Sequence, residues 1–299
     1  MAVLNRAAKA QPDTKTPDDF LFAPLLSGVG KTMLHVLLLS VGAVYVFPFL
    51  WMVGSAFKTN NEFFTLGLNP FPATLQVDNF RKAWEGANFS RYFFNTVFIS
   101  VTVTLIVLLL TSMAGYALAR LRMPGKRYLL IAIGVLFFLP AGYTIIPVIE
   151  IVRGLGLMNT IWAVIVTSVA GGMLFNTFLF VGYMRSIPPE LEEAAVIDGA
   201  SLWQRYWLVV LPLSRPMIAT VGLFTFMSNW NAFFGPLVFT LGKPELRTLA
   251  VGMYAFQGQN SRDWVLMCMG ATISILPIIL VYVVLQRFFI EAFAGAVKN

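Results

Sequence analysis

The chain has 299 residues, of which 58% are hydrophobic and only 12% are charged, and its mean hydropathy is +0.76. Soluble domains are close to half apolar and a quarter charged, so a soluble fold of this length would expose apolar surface that it cannot cover. The composition therefore predicts a polytopic membrane protein and excludes a disordered chain. The single cysteine, Cys268, excludes an internal disulfide, and the single histidine, His35, argues against imidazole metal clusters and Ser/His triads.

Six uncharged stretches are long enough to cross the hydrocarbon core of a bilayer, which takes about 20 apolar residues. They cover approximately residues 32–57, 93–118, 128–149, 160–184, 216–237 and 264–286. The pattern predicts an all-α polytopic membrane protein with six transmembrane helices.

The basic residues indicate how these spans are oriented. The net charge of +7 is spread over short segments between the spans, which argues against nucleic acid as a partner. The short loop 120–127 contains Arg120, Arg122, Lys126 and Arg127, and cytoplasmic loops are enriched in such cations. We therefore expect both termini to be cytoplasmic, with residues 1–29 as a cytoplasmic tail and residues 30–299 as the six-helix domain.

The spans lack the groups that several classes of transporter need. Ion-coupled carriers usually keep an ionisable residue within the membrane, and no acidic or basic residue lies mid-span here, although sodium sites built from backbone carbonyls stay open. Gly30, Lys31 and Thr32 match the end of a phosphate-binding loop, but Leu25 stands where its first glycine is required. Any ATP hydrolysis is therefore expected on another chain.

The loop between the fourth and fifth spans, residues 185–213, has the least ordinary pattern in the chain. Two prolines and three glutamates within 188–193 predict the start of a short helix, because acidic side chains stabilise the positive end of the helix dipole. Gly199 permits the left-handed turn that ends this helix, and Ser201 can cap a second, amphipathic helix that Pro212 stops before the fifth span. Composition alone allows a solvated loop with a surface-lying helix.

A longer pattern within this loop points to a family. Glu193, Ala194 and Ala195 are followed at fixed spacings by Gly199 and by Leu211 with Pro212. This arrangement resembles the EAA motif of binding-protein-dependent ABC transporter permeases, with Val209 where the family has isoleucine. The resemblance covers roughly residues 30–299. Within this family, the chain resembles specifically the smaller permease subunit of the maltose-transporter type. Further matching positions are Asn79, Phe80, Asn95, Thr96, 114–120, Pro124, Gly125, Lys126, Asp198, Ala200, Trp230, Asn231, Pro236, Leu237 and Gly295.

The resemblance implies a type I ABC importer permease fold in a bacterial cytoplasmic membrane. It also implies four kinds of contact: a second related permease, two ATPase subunits or a dimer of one, an extracytoplasmic solute-binding protein, and membrane lipid, with no nucleic acid. ATP and Mg would be bound by the ATPase subunits. This chain itself would bind no cofactor or metal and would catalyse no bond change.

The resemblance further assigns the contact with the ATPase to this loop. The implied coupling residues are Glu193, Ala194, Ala195, Asp198, Gly199, Leu211 and Pro212. Glu193 would form the charged contact, the two alanines would allow a close fit, and Gly199 would make the bend. Motion would then pass through Leu211 and Pro212 to the fifth span, as a rigid-body transfer.

The candidate substrate-pathway residues are polar or aromatic side chains within the spans. They are Asn95, Asn176, Trp230 and Asn231. Sugars are held by hydrogen bonds to their hydroxyls and by stacking on aromatic rings, which these side chains can supply. Polar side chains in spans also bond neighbouring helices, so both interpretations stay open.

The predicted function is the transmembrane permease subunit of an ATP-driven importer, forming half of the pathway for a di- or oligosaccharide. Three alternatives remain. One is the same architecture importing a non-sugar such as glycerol 3-phosphate, and another is a stand-alone carrier or channel that needs no ATPase. The third, a membrane enzyme, lacks a nucleophile, metal cluster or acid/base pair within the spans.

Overall fold

The structure is a computed structural model that describes residues 28–136, 144–253 and 263–296, and within these ranges it is helical without β-strands. Its helices are α1 Gly28–Ala56, α2 Asn60–Thr65, α3 Asp78–Glu85, α4 Phe89–Arg120, α5 Lys126–Leu136, α6 Ile145–Gly154, α7 Ile161–Ser186, α8 Glu190–Ile197, α9 Leu202–Gln204, α10 Leu211–Leu213, α11 Arg215–Trp230, α12 Phe234–Phe239, α13 Leu249–Gly252 and α14 Trp264–Ala296. Shorter turns lie at Gly86–Asn88 and Pro244–Leu246, both 3-10, and at Arg205–Val210, which is π-helical.

Within the described residues, four helices are long and apolar enough to cross a membrane, and they correspond to the first, second, fourth and sixth predicted spans. These are α1, α4, α7 and α14. Their starts differ from the predicted ones by at most a few residues. Thr160, which opens the fourth predicted span, accepts a hydrogen bond from the backbone N–H of Ala163 and so caps α7.

The fifth predicted span, 216–237, is wrong in its extent. α11 ends at Trp230, residues 231–233 are not helical, and α12 then begins a separate short helix. Pro236 has no N–H to donate to the carbonyl of Ala232, which favours a break here. Proline alone does not require one, because α1 and α14 continue through Pro48 and Pro277. Hydropathy alone does not register the interruption because the residues on both sides are apolar.

The third predicted span, 128–149, lies partly outside the described residues. α5 covers its first half, residues 137–143 are outside the description, and α6 begins at Ile145. A single continuous helix over this range therefore stays a prediction. The predicted tail, 1–29, likewise lies almost wholly outside the described part, which begins with the first turn of α1 at Gly28.

α4 makes the most extensive helix–helix contacts in the described part of the chain, whereas α1 packs mainly against α14. The most extensive interface of α4 is with α7, followed by that with α11. At the α4–α7 crossing a Cβ atom on Gly115 would overlap the Cβ of Phe180, so the absence of a side chain allows the two backbones to approach closely. Val103, Val107 and Phe180 belong to the apolar core at this crossing, and all three are fully buried.

The residues after α1 fold back over the end of that helix. Lys58 is fully buried, and its Nζ donates to the backbone oxygen of Asn69 at 2.6 Å and to Ser55 Oγ at 3.4 Å. Asn79 Nδ2 donates to the backbone oxygens of Ala56 and Lys58 at 3.0 and 2.9 Å. α4 begins at Phe89 on this same side of the molecule, which we call the α4 start end. Residues 185–213, to which the resemblance assigns the ATPase contact and which we therefore call the coupling segment, pack near the other end of α4.

Candidate functional site

The coupling segment opens with a short helix and a sharp bend, as the sequence predicts. α8 begins at Glu190 after Pro189, and its first turn carries three glutamates that face the positive end of the helix dipole. Gly199 has a φ of +81°, which is the left-handed conformation that ends helices. Ser201 then caps the next helix reciprocally: its Oγ accepts from Gln204 N, while Gln204 Oε1 accepts from Ser201 N.

The second helix ends before the fifth span, as predicted, but it does so at Leu213, one residue after Pro212, so Pro212 does not itself stop it. Helical backbone continues from Leu202 through the π-helical turn Arg205–Val210 to Leu213, and Pro212 lies in its last segment. The π turn shifts the hydrogen-bond register, with Leu211 N donating to Tyr206 O, and proline is tolerated where a new helical segment begins. The chain turns instead at Ser214, where Leu202–Leu213 and α11 meet at 75°.

The coupling residues that the resemblance implies occupy two different environments. Glu193, Ala194, Asp198 and Gly199 are exposed, and Ala195 is half-buried. Leu211 and Pro212 are also half-buried, and Leu211 packs against the apolar core around α4 and α7. The first group is accessible to another chain, whereas Leu211 in the second packs against the membrane helices of this one.

The surface around that first group is unusually apolar for a solvated loop. On α8, Leu191 is 47% exposed and Ile197 is 86% exposed, and Trp203 beyond the bend is 57% exposed. Large exposed apolar side chains close together mark surfaces that bind another chain or a membrane. These exposed apolar side chains are not typical of a fully solvated loop, and they suit contact either with another chain or with the membrane surface.

Glu192 is a polar residue of this site that the sequence analysis did not single out from its neighbours. It is only 7% exposed, and Tyr116 Oη donates to its Oε1 at 2.6 Å. Arg205 Nη1 lies 3.3 Å from the same oxygen, and Arg120 Nε lies 3.4 Å from Oε2. The carboxylate is thus surrounded by two cations and a hydroxyl, which offset the cost of burying its charge.

Further hydrogen bonds extend this buried polar cluster. Arg120 Nη2 donates to the backbone oxygen of Ile187 at 2.6 Å, at the end of α7. The hydroxyls of Ser112 and Tyr206 are hydrogen-bonded to each other at 2.8 Å, and the rings of Tyr116 and Tyr206 lie 5.4 Å apart. The cluster joins α4 to three parts of the coupling region.

The candidate substrate-pathway residues donate their hydrogen bonds to the backbone of this chain. Asn176 and Asn231 donate to the carbonyls four residues earlier, at 2.9 and 2.8 Å. Trp230 Nε1 donates to Ser274 O at 3.0 Å, and Asn95 Nδ2 donates to Glu245 O and Arg247 O at 2.9 and 3.0 Å. The bonds of Trp230 and Asn95 reach other elements and so hold the fold together, whereas those of Asn176 and Asn231 are local.

One cavity brings together two of the four. It has a volume of about 330 Å³, lies between α1, α11, α13 and α14, and is lined in part by Trp230 and Asn231. Asn95 and Asn176 do not line it. Trp230 is 3% exposed and stacks with Phe226 at 5.5 Å, so its ring is mainly part of the core, whereas Asn231 is exposed.

Comparison with known proteins identifies relatives over most of the chain. Residues 112–294 match the family described as "binding-protein-dependent transport system inner membrane component". A probable ABC transporter permease protein of Bacillus subtilis is 33% identical over 91% of this chain and 90% of its own length. The diacetylchitobiose uptake system permease protein of Streptomyces coelicolor is 33% identical over 85% of this chain and 84% of its own.

A third relative and a solved structure complete the comparison. The melibiose/raffinose/stachyose import permease protein of Bacillus subtilis is 30% identical over 90% of this chain and 98% of its own. A chain of a bacterial ABC transporter involved in the import of alginate superposes with a TM-score of 0.74 at 24% identity, covering 93% of this chain and all of that chain. The shared fold confirms the predicted type I importer permease architecture. The chain therefore belongs to the binding-protein-dependent transport system inner membrane component family of ABC importer permeases.

Proposed function

We propose that this chain forms half of the membrane pathway of an ATP-driven importer for a di- or oligosaccharide. In this proposal it pairs with a second related permease, two ATPase subunits dock on its cytoplasmic side, and a solute-binding protein delivers the sugar from outside. ATP and Mg are bound by the ATPase subunits. The chain supplies the pathway and the contact through which ATP-driven closure is transmitted.

The observation that carries the coupling role is the form of the coupling segment. α8 presents Glu193 and Ala194 to solvent, Gly199 turns the chain sharply, and the following helix leads into α11 through Ser214. An exposed acidic helix with small side chains suits a cleft on a partner, because small residues allow close backbone approach. The adjoining helical segment gives a rigid path from that contact towards the membrane.

The sugar class is supported by what the relatives are named for. The matched permeases of Streptomyces coelicolor and Bacillus subtilis are named for diacetylchitobiose and for melibiose, raffinose and stachyose, all of them di- or oligosaccharides. These names favour a sugar over glycerol 3-phosphate.

The test is to purify the tagged chain from detergent-solubilised native membranes and identify every co-purifying protein by mass spectrometry. We expect a second permease, an ATPase and a solute-binding protein. The complex is then reconstituted into liposomes and assayed for uptake with ATP or a non-hydrolysable analogue on the ATPase side. Uptake that occurs with ATP but not with the analogue supports the proposal. A chain that purifies by itself and transports without ATP would overturn it.

The same preparation tests the substrate class. The recovered binding protein is screened by thermal shift against disaccharides, oligosaccharides and glycerol 3-phosphate. Stabilisation by a saccharide is the expected result, because a ligand that binds the folded state raises its stability by mass action. Stabilisation by glycerol 3-phosphate alone would replace the sugar by the non-sugar alternative.

A further inference from the structure

The buried carboxylate of Glu192 joins the coupling segment to the body of the membrane domain. Of the three glutamates in the first turn of α8, Glu190 and Glu193 are exposed and Glu192 alone is turned inward. Its contacts come from two other elements: Tyr116 and Arg120 belong to α4, and Arg205 belongs to the π-helical turn beyond the bend. Glu192 is therefore the point at which α4 and both arms of the coupling segment meet.

The charges of this cluster make the junction resistant to separation. The side chains of Arg120 and Arg205 are 13% and 23% exposed, so both ion pairs are poorly accessible to water. A small separation of α8 from α4, too narrow to admit water, would leave the Glu192 carboxylate and the Arg120 guanidinium buried without each other, which costs more than breaking an exposed pair. Arg120 also holds the carbonyl of Ile187, so the link between α7 and α8 is tied to the same point.

We propose that Glu192 is a positioning residue that makes α4 move together with the coupling segment. ATP-driven displacement of α8 then reaches the membrane domain by two routes, through Ser214 to α11 and through Glu192 to α4. The second route is direct, because α4 has the most extensive contacts with both α7 and α11. This inference rests on the coupling role proposed above and adds to it the residue that engages α4.

The first experiment compares Glu192→Gln with the parent in the full reconstituted complex, measuring sugar uptake and ATP hydrolysis in the same liposomes. The amide keeps the shape of the side chain and removes its charge. We expect the complex to assemble and hydrolyse ATP, with the sugar transported per ATP falling about 5-fold or more, the lower end of measured coupling effects. Glu192→Asp, which keeps the charge, should recover part of the loss.

Asp78→Asn is the matched control. Asp78 is also a carboxylate paired with two cations, Arg81 at 3.0 Å and Lys82 at 3.3 Å, but it lies on the exposed face of α3, at the α4 start end. Its substitution should leave the transport ratio unchanged. An unchanged ratio in Glu192→Gln as well would overturn the proposal.

A second measurement decides the matter even if Glu192→Gln assembles poorly. Ala117 on α4 and Leu202 on the coupling segment line a cavity of about 150 Å³ between the two elements. Cysteines at both positions, in a Cys268→Ala background, are linked with a short bifunctional maleimide, and uptake is compared before and after linking. Elements that move as one body tolerate the link, so uptake should persist. Loss of uptake with continued ATP hydrolysis would show that α4 and the coupling segment must separate, which would overturn the proposal.

The link also tests the mechanical role directly. Introduced into Glu192→Gln, it replaces the lost ion pair between Glu192 and Arg120 of α4 by a covalent bridge and should restore the transport ratio. Failure of the parent complex to take up sugar with ATP would instead disprove the proposed function itself, whatever Glu192 does.

Discussion

Gly199 is the residue on whose backbone conformation the coupling segment depends most directly. Its φ of +81° disfavours side chains with a Cβ, and most strongly those branched at Cβ, by about 1–2 kcal/mol. We expect Gly199→Val to straighten the bend, weaken co-purification of the ATPase and abolish uptake. Gly199→Asn is the matched control, because asparagine enters the left-handed region much more readily, and it should retain most of the activity. Equal loss in both variants would show that the surface, and not the turn, is what matters.

At this scale the sequence predicts local geometry well and side-chain direction poorly. The turn at Gly199 and the cap at Ser201 were predictable because each depends on residues within three or four positions. Which of the three glutamates is buried was not, because that is decided by Tyr116 and Arg120 on a helix far back in the chain. One signal could have helped: Arg120 lies at the end of a predicted span and has no acidic residue near it in the sequence, so its partner had to come from elsewhere in the chain.

Among the elements, the α4–α7 crossing depends on Gly115. An alanine there would force its Cβ onto the Cβ of Phe180, which lies too close to the backbone to move aside. Overpacking of this kind costs about 1–3 kcal/mol, which exceeds the gain of about 1 kcal/mol in helix propensity. Gly115→Ala should lower the Tm of the purified complex. Gly182→Ala on α7, where a Cβ meets nothing, should leave Tm unchanged or raise it slightly, and a lower Tm in both would refute the packing argument.

The segment 244–252 depends on the first turns of α4. Asn95 bonds two carbonyls of this segment, and Thr96 Oγ1 accepts from Leu249 N at 2.7 Å. Losing the Asn95 bonds should cost about 1 kcal/mol each, so Asn95→Ala should speed hydrogen exchange across 244–252. Asn231→Ala, which loses only a local bond to the carbonyl of Met227 at the end of α11, should not. Unchanged exchange with a raised KM for sugar would make Asn95 a substrate contact instead.

The elements also show where hydropathy stops being informative. α1, α4, α7 and α14 follow from long uncharged stretches, since burial in lipid requires both length and apolarity. The break after Trp230 and the passage of helix through Pro212 do not, because the apolar pattern runs across both. Each depends on where hydrogen bonds can be re-formed, at the start of α12 and in the π-helical turn, and composition carries no record of that.

At the scale of the whole molecule, α4 connects the α4 start end with the coupling segment. Its first turns hold the segments that the importer proposal places outside, through Asn95 and Thr96, and its last turns hold the coupling segment through Tyr116 and Arg120. Between them lies the packed crossing with α7. A displacement at one end can therefore shift the other without any chemistry in this chain, which is what a permease driven by separate ATPases requires.

This arrangement makes the orientation of the chain in the membrane testable. Met123 follows the last turn of α4 and is 37% exposed, and Leu241 lies near its start end and is 61% exposed. Single cysteines at these positions, in a Cys268→Ala background, are treated with a membrane-impermeant maleimide in right-side-out and inside-out vesicles. Because the cations at 120–127 favour the cytoplasm, Leu241→Cys should react only in right-side-out vesicles and Met123→Cys only in inside-out ones. The reverse pattern would place the coupling segment outside the cell, where no ATPase could engage it, and the importer mechanism would fail with it.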